Sequence, residues 1–123
     1  MKEAEELKIT QTITGDKQKI AILNLHGYLD SNTSPLLKER FLSLDSQTHC
    51  FVLDFSDVEY VSSAGWGVIL GRIKDYRDKG GDIVFVRMNR EVASVYELLE
   101  LNKVMKHFIT IQEAVHYFSG EHK

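Results

Sequence analysis

Two short stretches constrain this chain more than any other feature: "HCFVLDF" at 49–55 and "DIVFV" at 82–86. Each is a nearly continuous apolar run, the mark of a strand covered on both faces. Such strands need helices on either side of their sheet, and the segments around them carry helical periodicity. Ser63 to Lys79 is expected as a helix burying Val68, Ile69, Ile73 and Tyr76, with Gly80-Gly81 stopping it. Glu91 to Leu101 is expected as another, with Val92, Val95, Leu98 and Leu99 inward. "HFITI" then reads as a last short strand and "QEAVHYF" as a last helical segment.

The chain opens differently. Leu7 to Thr14 ("LKITQTIT") alternates apolar and polar residues, Gly15-Asp16 makes a turn, and "QKIAILNLHG" alternates again, which together predict an antiparallel hairpin. In "SPLLKERFLSL", Ser34 before Pro35 fits a helix cap with proline at the first helical position. Leu36, Leu37, Phe41 and Leu44 form the apolar face of that helix. The order predicts an α/β fold: a mixed sheet with an N-terminal antiparallel hairpin and later parallel strands, packed against about four helices. No Pro/Gly/Ser linker, repeat or low-complexity tract interrupts residues 1–123, so a single domain is expected.

Composition narrows the function. A 43% hydrophobic and 27% charged chain is ordinary for a globular domain, and a net charge of -3 argues against a nucleic-acid surface. The single cysteine, Cys50, lies inside an apolar run and reads as a buried structural thiol. No apolar stretch approaches the roughly 20 residues that cross a bilayer. No signal-peptide core follows "MKEAEELK", so a cytoplasmic protein without membrane insertion is expected.

Catalytic patterns are missing. His26, His49, His107, His116 and His122 are scattered without ligand-like spacing, so neither a metal nor a cofactor is expected. "GWG" at 65–67 lacks the third glycine of a nucleotide motif, and no nucleophile elbow or P-loop is present. The chain does not read as an enzyme. Asp54 stands where a receiver domain keeps its phospho-acceptor, but the acidic pair and the lysine of that site have no counterparts. A structural role is expected instead, with its carboxylate accepting from backbone N–H groups of the next loop.

"YVSSAGWGVILGR", residues 60–72, carries the candidate site. Ser62 or Ser63 can cap the helix that begins here, a contribution of about 1 kcal/mol. The same geometry suits a phosphorylated serine, because a helix N-terminus stabilises negative charge, and small Ala64 and Gly65 leave room for a kinase. Both readings stay open. Gly67 and Gly71 cost about 1 kcal/mol each inside a helix, with close packing on the sheet as the expected compensation. Trp66 reads either as an exposed partner anchor or as partly buried.

"VLDFSDVEYVSSAGWGVILGR" resembles the signature of STAS domains, specifically anti-sigma factor antagonists of bacterial partner-switching systems. "LHGYLD", "KGGDIVFV", "VYELLELNKV" and "FITIQEAV" resemble the flanking elements of that family. The resemblance implies that Ser63 is the serine phosphorylated by a cognate anti-sigma factor of the GHKL kinase type, with Ser62 next in line. It implies a partner surface made of Asp30, Ser62, Ala64, Gly65, Trp66 and Gly67, and a PP2C-type phosphatase to reset the switch. Ser62 replaces the usual aspartate of the motif, Ala64 the usual Ser/Thr, Trp66 a common leucine and Asn102 a glycine. Two other roles remain open: a STAS module of another assembly (a stressosome-like scaffold or a lipid-transport ABC complex subunit), and an enzyme or small-ligand sensor using the loops at the sheet end.

Overall fold

The computed structural model describes residues 6–121. The elements run β1 (Leu7–Thr14), β2 (Ile20–Leu29), α1 (Ser34–Leu44), β3 (Cys50–Val61), α2 (Ser63–Asp78), β4 (Asp82–Val86), α3 (Arg90–Leu98), β5 (Lys106–Phe108) and α4 (Ile111–His116). A 3-10 turn, Leu101–Lys103, links α3 to β5, and a π-helical turn, Tyr117–Glu121, extends α4. The five strands form one sheet in sequence order. β1 and β2 pair antiparallel, and every later pair is parallel. The expected mixed α/β architecture is therefore the observed one.

The apolar runs of β3 and β4 resolve into two interleaved faces. Phe51, Leu53, Phe55, Ile83 and Phe85 point to the face covered by α1 and α2, among Leu37, Phe41, Ile69, Ile73 and Tyr76. Cys50, Val52, Val84 and Val86 point the other way, under Ala114 and Phe118. Aromatic rings lock the first face: Phe51 stacks on Tyr76 at 4.9 Å and meets Phe41 edge-on at 5.0 Å. Cys50 is fully buried, as expected, and its sulfur accepts from the Gln18 amide at 3.0 Å.

Several local expectations need correction. β3 does not stop at Asp54 but continues to Val61, because register shifts against β2 at Asn24/His26 and Gly27/Tyr28 absorb the irregularity. Those shifts leave Ser56, Asp57, Glu59 and Tyr60 exposed and keep Val58 and Val61 buried, which breaks the alternation of a regular strand. α1 is preceded by Thr33 rather than capped by Ser34; the Thr33 hydroxyl donates to the Tyr28 carbonyl at 2.7 Å, and Ser34 is the first helical residue. Leu36 is exposed, being one position off the Leu37, Phe41, Leu44 stripe. α3 ends at Leu98 and buries Val92 and Tyr96, while Val95, Leu98 and Leu99 face outward. Periodicity located its apolar stripe but not how much of that stripe the sheet covers. The left-handed residue after α3 is Glu100 (φ +60°), and Asn102 lies inside the 3-10 turn.

Candidate functional site

The carboxyl ends of the parallel strands β2, β3 and β4 open toward the N-termini of α1, α2 and α3. In open α/β sheets, ligands and partners collect at this end. The chain crosses here from Val61 directly into α2, with Ser62 as the turning residue. Ser62 has extended backbone (φ -87°, ψ 173°), its N–H donates to the Leu29 carbonyl at 2.9 Å, and its hydroxyl accepts from Gly65 N at 3.4 Å. Ser62 is therefore the helix cap. Ser63, the first helical residue, is exposed, and capping does not occupy its hydroxyl. No acidic side chain stands in the first turn of α2, so the positive end of a 16-residue helix faces outward uncompensated.

Gly65 is buried and faces the sheet, not an approaching kinase. A Cβ there would come within 2.8 Å of Leu29 Cγ and 2.9 Å of the Leu29 carbonyl oxygen. Only glycine lets α2 start this close to β2. Gly67 and Gly71 do the opposite of what was expected: both are exposed, and a Cβ at either would meet nothing within 4 Å. With Ser63 they form a row of small residues at four-residue spacing on the outer face of α2.

Trp66 is not an exposed anchor. It is 3% exposed and packs among Phe55, Phe85 and Tyr96, with ring centroids 6.2, 5.9 and 6.1 Å away. Its place belongs to the inward stripe Trp66, Ile69, Ile73, Tyr76, while Val68 is only partly covered. Ala64 is half-buried beside it.

Asp30 follows Leu29 at the end of β2, so it adjoins Ser62 through the bond between Leu29 and Ser62. Its carboxylate is turned inward on its own loop, accepting from Asn32 N (2.9 Å) and Thr33 N (3.1 Å) and shaping the approach to α1. Asp54, fully buried on β3, accepts from Ser56 N at 3.0 Å, the expected structural bond. It also accepts from Asn24 and is paired with Arg87. Burial pushes the Asp54 carboxyl up, but the Arg87 guanidinium and the bonds from Ser56 outweigh it and hold it below the ordinary 3.8. Sequence reasoning missed Arg87, Asn24 and the exposed Tyr60, because nothing local links an arginine after β4 to a carboxylate 33 positions earlier. Among the described residues no three His, Cys, Asp or Glu side chains could hold a metal ion, and no helix is long and apolar enough to cross a membrane.

The comparisons with known proteins agree with this geometry. The STAS domain model matches residues 11–114. The anti-sigma F factor antagonist of Paenibacillus polymyxa is 31% identical over 88 residues, covering 70% of this chain and 75% of that protein. The crystal structure of the Thermotoga maritima protein TM1081 is 26% identical, with a TM-score of 0.77 over 90% of this chain and 94% of that one. The anti-sigma factor antagonist SpoIIAA in its unphosphorylated form shares the fold at 18% identity, with a TM-score of 0.73 over 90% of this chain and 97% of that one. A capped serine pair opening α2 at the carboxyl end of a mixed sheet, together with these matches, leads to one family: the chain belongs to the STAS domain proteins.

Proposed function

We propose that this protein is an anti-sigma factor antagonist whose binding to an anti-sigma factor is switched by phosphorylation of Ser63. One observation carries the reading: Ser62 does the capping and leaves the Ser63 hydroxyl exposed at the positive end of α2. In the unmodified state the partner, an ATP-using serine kinase of the GHKL type, lies across the start of α2, where Gly67 and Gly71 keep the surface flat. Transfer of the ATP γ-phosphoryl group to Ser63 Oγ adds about -1.5 to -2 charge there. The helix end tolerates that charge in water, but a packed interface would have to strip its hydration, so the complex separates. A PP2C-type phosphatase restores the serine. Catalysis belongs to the partners, in the cytoplasm, and this chain acts as a substrate and a binding surface.

The test is phosphosite mapping with the kinase recovered by pull-down. Ser63→Ala should take up no phosphate, and Ser63→Asp should bind the kinase at least tenfold more weakly, a loss of about 1.4 kcal/mol or more. Stoichiometric phosphorylation of Ser63→Ala would move the site to Ser62. Wild-type affinity in Ser63→Asp would remove the switch altogether.

A further inference from the structure

Three larger clefts among the described residues, of about 480, 490 and 370 Å³, each hold a polar side chain that already has a partner: Arg77 with Asp82, Asp57 with His26, and Arg40 with Gln11. A smaller cavity of about 250 Å³ differs in character. It lies between the end of β3 and α3, with Tyr60 and Val61 on one side, Val92 and Val95 on the other, and Trp66 in its wall. It leads onto apolar side chains that the described residues leave uncovered: Tyr60 and Val95 line it and are exposed, Leu98 (79% exposed) ends α3, and Leu99 follows it.

We propose that this cavity is a socket for one apolar side chain of the partner, carried on a cationic amphipathic helix that lies along α3. Size favours a side chain over a free metabolite, since small-molecule sites span roughly 300–1,000 Å³. Charge selects the helix: Glu59 and Glu91 line the cavity and both are exposed, so lysine or arginine on either side of the anchor would pair with them. In a two-fold contact of two copies centred on this cavity, Glu59 and Glu91 would face the same carboxylates of the other copy. The socket begins one residue before Ser62, so a helix seated in it continues the surface assigned to the partner above. The proposal rests on that assignment for which protein supplies the helix, and it extends the surface from α2 to α3.

Trp66 is the only tryptophan in the chain, so its fluorescence and its single indole N–H cross-peak in NMR report on the socket directly. The experiment is a display selection of short helical peptides on the full chain and, in parallel and without counter-selection, on Val95→Asp, with the binding of the selected peptides then measured on both. Selected peptides should carry one apolar anchor flanked by lysine or arginine, move the indole cross-peak on binding, and bind Val95→Asp roughly tenfold more weakly. Glu59→Lys combined with Glu91→Lys, which alters exposed positions only, should lose the cationic peptides and keeps the test open should Val95→Asp fail to fold. Equal enrichment on Val95→Asp, acidic peptides, or binding that leaves the indole unmoved would overturn the socket. So would a wild-type dimer that Val95→Asp dissociates, since the occupant would then be a second copy. Running the selection on Ser63→Ala separates the two readings. Peptide binding there without any phosphorylated serine in the wild type would keep the socket and sink the switch, and the reverse pattern would sink only the socket.

Discussion

Gly65 and Gly67 stand two residues apart in α2, and a methyl group added to each should act in opposite directions. At Gly65 it would press on Leu29, so Gly65→Ala should destabilise the fold by about 2 kcal/mol, within the range for overpacked sites. At Gly67 it would meet open space, and Gly67→Ala should stabilise by up to about 1 kcal/mol through helix propensity alone. Urea unfolding of the two variants checks both signs. The quoted motif displays two similar glycines, and nothing in it says that one faces β2 and the other faces outward. Trp66 is the instructive residue here. The spacing Trp66, Ile69, Ile73, Tyr76 was readable as an inward stripe, and only the choice of Val68 as a core position made the tryptophan look surplus. The serines were more legible, since a hydroxyl pair before a helix predicts a cap. Ser62 is the one that caps, by accepting from Gly65 N, and the bond from its own N–H to the Leu29 carbonyl, which holds it in place, joins residues too far apart in sequence to be read locally.

At the scale of elements, the connection from β4 to α3 is held by side chains reaching back to β3. Arg87 sits at φ +62°, a left-handed conformation that costs an L-residue about 1–2 kcal/mol, and is held there by its pair with Asp54. Asn89 ties the same loop to β3 by donating to the Val58 carbonyl at 2.9 Å, and caps α3 by accepting from Val92 N. Arg87→Ala should cost about 2 kcal/mol, less than a wholly buried pair because the guanidinium is half-exposed. Arg87→Gly should cost about 1 kcal/mol less than that, since glycine accepts the backbone. The sign with pH follows from the Asp54 carboxyl, which lies below its ordinary 3.8 in the fold. Its contribution is complete above 3.8 and disappears as pH falls through the lower folded value. Wild-type stability should therefore drop in that acid window, and Arg87→Ala should show a smaller drop there in urea titrations. Element boundaries were legible where caps and stops are chemical: α2 was expected over 63–79 and spans Ser63–Asp78. They failed where pairing decides, as in β3, whose second half reads as a polar link until β2 is laid beside it.

For the molecule as a whole, the legible part was the order of elements and the two-faced burial of β3 and β4. The outer side of α3 was not, because an apolar stripe reads the same whether this chain or another one covers it. The lone thiol of Cys50 has a consequence at this scale. Burial pushes it up to about 11, so almost no thiolate exists at neutral pH, and the side chain is fully enclosed. Alkylation by iodoacetamide should be negligible in the native state and complete in urea, read as a mass shift. The sulfur of Cys50 is thus chemically silent for as long as the sheet stays closed around it, and its reactivity serves as a built-in clock for how often the core opens.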